Sequence, residues 1–286
     1  MRYQNRQPIE GANVTRHNPL LYFLKLLIAA LVLIVILVAL ANIFAAQLGR
    51  SVPFDYETSL MDRVDYHFGG ESPSDEMQNY LSDLAARLIP HLNLPEDMAV
   101  QIHHNDENVF NAYATLGGNI VFFTGLLESL PHENALAMVM AHEISHVVHR
   151  DPIAGLGGGL ATMMALTALT GSTGTNTIGK LLNRTGSITQ TKFGRDMERA
   201  ADKTALRAVA ALYGHVAGAS ELFRVLQNQH STDTQNDWYA AFTATHPLNE
   251  NRIKSIEEMA NENQWDNTGV VTPLPADFHD WLKQPQ

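Results

Sequence analysis

Residues 141–151 read Ala-His-Glu-Ile-Ser-His-Val-Val-His-Arg-Asp. Imidazoles four residues apart on a helix leave one face about one turn apart. That is the separation two ligands of a tetrahedral zinc need, so His142 and His146 are the expected metal ligands. Glu143 sits one step round, within reach of a water on that metal. Zinc lowers the pKa of bound water to about 7, giving a hydroxide-like nucleophile near neutral pH. Glu143 would take that water's proton and later deliver it to a leaving amine, which is peptide-bond hydrolysis. Chance alone places this pattern in a chain of such length on the order of 1 time in 100.

A catalytic zinc needs a third protein ligand and an open fourth position. His149 is seven residues from His142, roughly 10 Å along the same helix axis. It is therefore expected at the surface or behind the ligands. Glu198 lies in Arg-Asp-Met-Glu-Arg-Ala-Ala-Asp, with Asp202 four residues on and on the same helix face. One carboxylate can bind the metal while the other fixes a ligand imidazole through its free N–H. Taken alone, this pair is a weak signal, because Glu and Asp at helical spacing usually mean a solvated face.

The elements that must carry these residues follow from apolar spacing. Met77, Leu81, Leu84 and Leu88 predict a helix that begins near Ser72-Pro73-Ser74, with Pro73 at its first position, and ends at Pro90. Strand composition marks 98–103, 108–115 and 118–124. Helices are expected over 133–149, 196–211, 215–229 and 249–260. No internal repeat is visible, and the residues after about 264 carry no clear pattern. Residues 26–46 form an uncharged apolar run with Asn42 as its one polar residue, long enough for a hydrocarbon core of roughly 30 Å. Ala39 and Ala41 also offer a signal-peptide cleavage site, whereas the long tail ahead of the run favours an uncleaved anchor. Arg2, Arg6, Arg16 and Lys25 precede the run; Arg50 follows it, and then Asp55, Glu57 and Asp62. The positive-inside rule puts the N-terminus in the cytoplasm and the rest outside, which in a Gram-negative bacterium means the periplasm.

The net charge of −11 disfavours nucleic-acid partners, because an acidic chain repels phosphate backbones. With no cysteine, there are no disulfides, thiolate ligands or cysteine nucleophile, and any metal must be held by His and carboxylates.

His-Glu-Ile-Ser-His followed by Glu-Arg-Ala-Ala-Asp resembles the membrane zinc proteases that include the HtpX heat-shock protease and the CAAX prenyl proteases. Two further segments carry the resemblance, which runs from about 74 to 258: Asn-Ala-Tyr-Ala-Thr-Leu-Gly-Gly at 111–118 and Thr-His-Pro-Leu-Asn-Glu-Asn-Arg-Ile at 245–253. The resemblance implies Glu198 as the third zinc ligand and Asp202 as the acid behind a ligand imidazole. It also puts His246 and Arg252 near the active site, as stabilisers of the developing oxyanion. Asn111, Ala112 and Tyr113 would position substrate, with an extended chain pairing along the 109–115 strand. One zinc per chain is implied. HtpX-type members carry several membrane helices and this chain has one clear span, so it resembles a minimal, single-anchor member.

The expected fold class is α+β, a mainly helical zincin-like domain with a small sheet, preceded by one transmembrane helix. The expected organisation is a cytoplasmic tail (1–18), a signal-anchor helix (19–46), a connecting segment (47–73), a protease domain (74–264) and a C-terminal tail (265–286). Residues 153–171 are apolar but rich in Gly and Thr. They cannot make a single crossing, which would put the metal ligands on opposite sides of the membrane. They read as a lid or a membrane-touching helix near the active site, with a buried core helix as the alternative, followed by a flexible loop over 172–194. The expected function is a zinc endopeptidase acting on unfolded or misassembled proteins at the membrane. The alternative is a latent, zinc-binding anchored chaperone or assembly factor. Substrate, cleavage preference and oligomeric state are not legible.

Overall fold

The computed structural model describes residues 18–63, 68, 74–170, 194–232, 240–246 and 252–283. The N-terminal tail to residue 17 and the expected flexible loop up to residue 193 lie outside the described residues.

Helix α1 (Pro19–Arg50) begins where the signal-anchor helix is expected and runs on past its expected end at residue 46. It starts where the Asn18 side chain accepts the Leu20 N–H at 3.1 Å, with Pro19 in the first turn. Among the described residues it is the helix long and apolar enough to cross a membrane, and its apolar stretch is not covered by protein. Asn42 is tolerated there because its amide donates to the Val38 carbonyl at 2.9 Å. The segment expected to be a plain connector contains a helix, α2 (Phe54–Met61), which buries Phe54, Glu57 and Met61.

Helix α3 (Asp75–Leu88) is capped by Ser74, whose hydroxyl accepts the Met77 N–H at 3.2 Å. Pro73, expected as the first helical residue, lies outside the described residues. Its Met77, Leu81, Leu84 and Leu88 are fully buried, each worth about 1.5–3 kcal/mol. The sheet has three strands, β1 (Gln101–Asn105), β2 (Ala112–Ala114) and β3 (Asn119–Phe123), in the order β1-β3-β2. β1 runs parallel to β3, with Ile102 opposite Ile120. β2 runs antiparallel, with Tyr113 opposite Val121. The expected strand over 108–115 shrinks to 112–114 because Val109 N–H and Asn111 N–H bond back to Glu107 and Val109 carbonyls in turns. Gly117 and Gly118, both at positive φ, turn the chain from β2 into β3.

After the short α4 (Thr124–Leu127), α5 (Glu133–Val148) runs through the centre and is buried along nearly its whole length. α6 (Asp151–Thr170) follows, and α7 (Arg195–Tyr213) packs against α5. The rest comprises α8 (Glu221–Thr232), α9 (Ala240–Thr245), α10 (Arg252–Glu262) and α11 (Phe278–Trp281). α8 starts later than the expected 215 because turns occupy 216–220, with Gly218 at φ 85°. The expected C-terminal tail is docked. Phe278 is fully buried, Thr272 N–H donates to Asn134 Oδ1 at 2.7 Å and its carbonyl accepts from Glu133 N–H at 3.0 Å.

α6 lies antiparallel against the end of α1. A Cβ on Gly49 would sit 2.9 Å from the Ile153 carbonyl oxygen, and one on Gly157 would sit 2.7 Å from that of Ala45. Glycine lets the two backbones approach this closely, as in helix pairs within membranes. The chain is thus mainly helical with a small mixed sheet and one N-terminal apolar helix, as the sequence predicts.

Candidate metal centre

α5 presents His142 and His146 on one face, with their Nε2 atoms 3.1 Å apart. α7, which buries the apolar face containing Ala201, Ala205 and Val209, brings Glu198 to them. Glu198 Oε1 is 3.3 Å from His146 Nε2, and Oε2 is 3.5 Å from His142 Nε2. His246, just past α9, stacks on Phe242 with ring centroids 5.0 Å apart. Its Nδ1 lies 3.1 Å from Glu198 Oε1 and 3.4 Å from His142 Nε2. One ligand atom from each of these four residues falls within 4.8 Å of every other. A tetrahedral zinc with bonds of about 2.1 Å keeps its ligand atoms roughly 3.4 Å apart. The four atoms therefore fit one ion, and the all-N/O donor set suits zinc.

Glu143 is fully buried beside this set, and neither carboxylate oxygen has a hydrogen-bond partner among the described residues. Oε1 lies 3.3 Å from His246 Nε2. A buried, unsatisfied carboxylate costs free energy unless something polar enters beside it, and a water or substrate amine is the natural occupant.

Each of the two helix-borne imidazoles has an acid behind it. His142 Nδ1 lies 3.0 Å from Asp202 Oδ1, and His146 Nδ1 lies 2.9 Å from Asp151 Oδ2. Such contacts fix tautomer and ring orientation for a metal. Arg252 grips Asp202 with two bonds, Nε to Oδ2 at 2.8 Å and Nη2 to Oδ1 at 2.7 Å, and its Nη1 lies 2.7 Å from Glu198 Oε2. The guanidinium also lies 4.5 Å over the Phe223 ring. Burial alone would lower the His142 pKa, but Asp202 and Glu198 push it up to about 10. Burial would raise Asp202, yet Arg252 and His142 bring it down to about 2. Glu198 is held well below the usual carboxylate range by His246, His142 and His146, against the effect of burial. A metal entering here must displace protons from the imidazoles.

Of the substrate-positioning candidates, Asn111 is buried, with Oδ1 accepting from Thr245 Oγ1 at 3.5 Å and Nδ2 unpaired. Ala112 and Tyr113 lie on β2. Both are buried, Tyr113 packing with Val121 and Phe123. β2 is an outer strand of the sheet among the described residues. His149 stays out of the ligand set, its Nε2 lying 3.2 Å from Thr204 Oγ1. Met138, Val139, Leu222, Phe223 and Phe242 wall an apolar cavity beside His142 and Glu143, with space of only about 10 Å³, room for roughly one water.

Sequence reasoning missed Asp151 and Arg50. Asp151 Oδ1 accepts from Arg50 Nη2 at 3.0 Å. The available signals were slight: an acid closing the 141–151 motif, and the first charge after the apolar run.

Residues 75–260, more than half of the chain, match the model of peptidase family M48. The chain is 33% identical over 106 residues to a beta-barrel assembly-enhancing protease of Escherichia coli, covering 36% of this chain and 21% of that protein. It is 26% identical to the mitochondrial metalloendopeptidase OMA1 of Schizosaccharomyces pombe, over 65% of this chain and 53% of that one. It is 24% identical to a protease HtpX homolog of Salinibacter ruber, over 75% of this chain and 86% of that one. The match thus spans about a fifth of the first of these relatives and about half of the second.

Proposed function

The chain belongs to peptidase family M48, and from that premise we propose that it is a membrane-anchored, zinc-dependent endopeptidase. The observation that carries this reading is the meeting of His142, His146 and Glu198 at tetrahedral spacing beside the fully buried carboxylate of Glu143. These three residues would hold the ion. When bound, it supplies Lewis acidity, polarising a carbonyl and acidifying water. Glu143 accepts the proton of the attacking water at its carboxylate and returns it to the amine that leaves. Asp202 holds His142 through Nδ1, while Arg252 ties Asp202 to Glu198. His246 Nε2, 3.3 Å from Glu143, is placed to donate to a developing oxyanion. The backbone of β2 offers an extended substrate a strand partner, which favours unfolded or loosely packed chains over rigid ones.

Two features support action at a membrane. α1 is long and apolar enough to span one. The pairing of α6 with its end favours a membrane-touching companion over a lid for residues 153–171. Both α5 and α7 carry metal ligands, so the chain leaves and re-enters on one side. The charges flanking α1 support a site on the side outside the cytoplasm. One relative is named for enhancing β-barrel assembly; for this chain, misassembled exported or membrane proteins are the substrate class that accords with an anchored, outward-facing site.

A specific arrangement favours latency as a second reading. His246 completes the four-atom set, and the cavity beside His142 and Glu143 has space of only about 10 Å³. In that state the enzyme rests until His246 moves away. Purified protein incubated with casein tests both readings. We expect cleavage that Glu143→Gln reduces by about 10²–10⁴-fold with zinc content unchanged. Under latency His246→Ala raises the rate; under the oxyanion role it lowers it. Zinc without cleavage in wild type and His246→Ala alike would overturn the protease reading in favour of an anchored scaffold.

A further inference from the structure

The two imidazoles of α5 are backed by matching constructions, one of which reaches the membrane anchor. Behind His142 stands Asp202, and behind Asp202 stands Arg252. Behind His146 stands Asp151, 2.9 Å from Nδ1, and behind Asp151 stands Arg50 at 3.0 Å. The His146 and Asp151 side chains are 0% and 2% exposed. Arg50 is the last residue of α1, so the carboxylate that orients a metal-ligand candidate is itself oriented by the end of the anchor helix.

The surrounding backbone is clamped to the same place. Arg50 Nε donates to the His149 carbonyl at 3.3 Å. Arg150, at φ 60° where α5 ends and α6 begins, donates from Nη2 to the Val52 carbonyl at 2.7 Å and from Nε to Glu57 Oε1 at 2.9 Å. Glu57 Oε2 in turn accepts from Gly117 N–H at 3.2 Å, at the turn joining β2 to β3. The junction of α1 and α2 thus holds both the end of the metal-bearing helix and the turn beside the outer strand.

We propose that Asp151 and Arg50 are positioning residues for the metal site, Asp151 by holding His146 in the tautomer that presents Nε2 to the ion and Arg50 by fixing Asp151 from the anchor helix. This rests on the metalloprotease reading and extends it: the anchor is a structural part of the site as well as a tether. If Asp151 served only as an acid in the first turn of α6, or Arg50 only as a half-exposed ion pair, changing them would alter stability and leave metal binding untouched.

The test uses the full chain in detergent, with zinc affinity measured by chelator competition and the ligand field by visible absorption of the Co²⁺-substituted protein. Asp151→Ala is expected to weaken zinc binding by about 10–100-fold and to change the Co²⁺ spectrum, with the far-UV circular dichroism unchanged. Asp151→Asn, which keeps an acceptor for His146 without its charge, should fall between wild type and Asp151→Ala. Arg50→Ala should weaken binding less than Asp151→Ala does, and Arg50→Lys should restore part of that loss. If Asp151→Ala does not fold, Asp151→Asn decides by the same two readouts. Zinc affinity within twofold of wild type and an unchanged Co²⁺ spectrum in a folded Asp151 variant would overturn the relay while leaving the metalloprotease reading intact. A wild-type chain that takes up no metal would overturn both.

Discussion

At the scale of single residues, Arg252 concentrates the electrostatics of the site. It is buried against Asp202 and Glu198, and its pKa is raised because those carboxylates outweigh the cost of burial. Removing the cation takes from Asp202 its two-bond partner and from Glu198 its one guanidinium partner among the described residues. Arg252→Ala is therefore expected to destabilise the metal-free protein by about 3–5 kcal/mol, read from chemical denaturation. Arg252→Lys should recover only part of that, because an ammonium cannot grip Asp202 with two bonds. A loss under about 1 kcal/mol for the alanine variant, typical of an exposed pair, would contradict this account. His142, Glu143 and His146 were legible from sequence because the helical repeat alone fixes their relation. Glu198 was not: its proximity to His146 exists only in the packing of α7 on α5, and family resemblance had to supply it. Asp151 was invisible because its contact with His146 depends on the chain reversing at Arg150, whose positive φ no local rule foretells. Arg50 is 101 residues away from Asp151 in sequence.

Among the elements, α3, α5 and α7 are joined at one buried carboxylate. Glu133 accepts from Tyr80 Oη and Tyr213 Oη, each at 2.8 Å, and pairs with Arg87 at 2.9 Å. Burial first, and then the hydrogen bond to Glu133, push both tyrosine pKa values well above the usual 10. The neutral phenols are thus favoured in the folded state. Their contribution is fully present below pH 10 and is lost as pH rises above it, because the unfolded chain can ionise there and the folded one resists. Stability measured across pH 9–12 is expected to fall above pH 10, and to fall less steeply in Tyr80→Phe. Equal slopes in the two proteins would show that this junction does not couple the helices. Periodicity located the helices, since the apolar faces of α3 and α7 repeat as amphipathic helices must. It overran the strand before β2 and the start of α8, where turn hydrogen bonds, set by tertiary context, take the backbone out of the regular element.

For the molecule as a whole, the sequence predicts one span and the structure adds its consequence. The anchor ends against the metal helix, and α6 doubles back along it. The centre therefore sits close to the C-terminal end of α1, which under the proposed reading is where the chain leaves the membrane. That arrangement has meaning only if the site holds the ion its geometry describes. Zinc-edge X-ray absorption on the purified full-length chain tests this most directly. One zinc per chain is expected, in a shell of three or four nitrogen and oxygen ligands at about 2.0–2.1 Å, reduced by one nitrogen in His146→Ala. A folded chain with no zinc, or a zinc whose shell is unchanged in His146→Ala, would contradict the assignment of the centre.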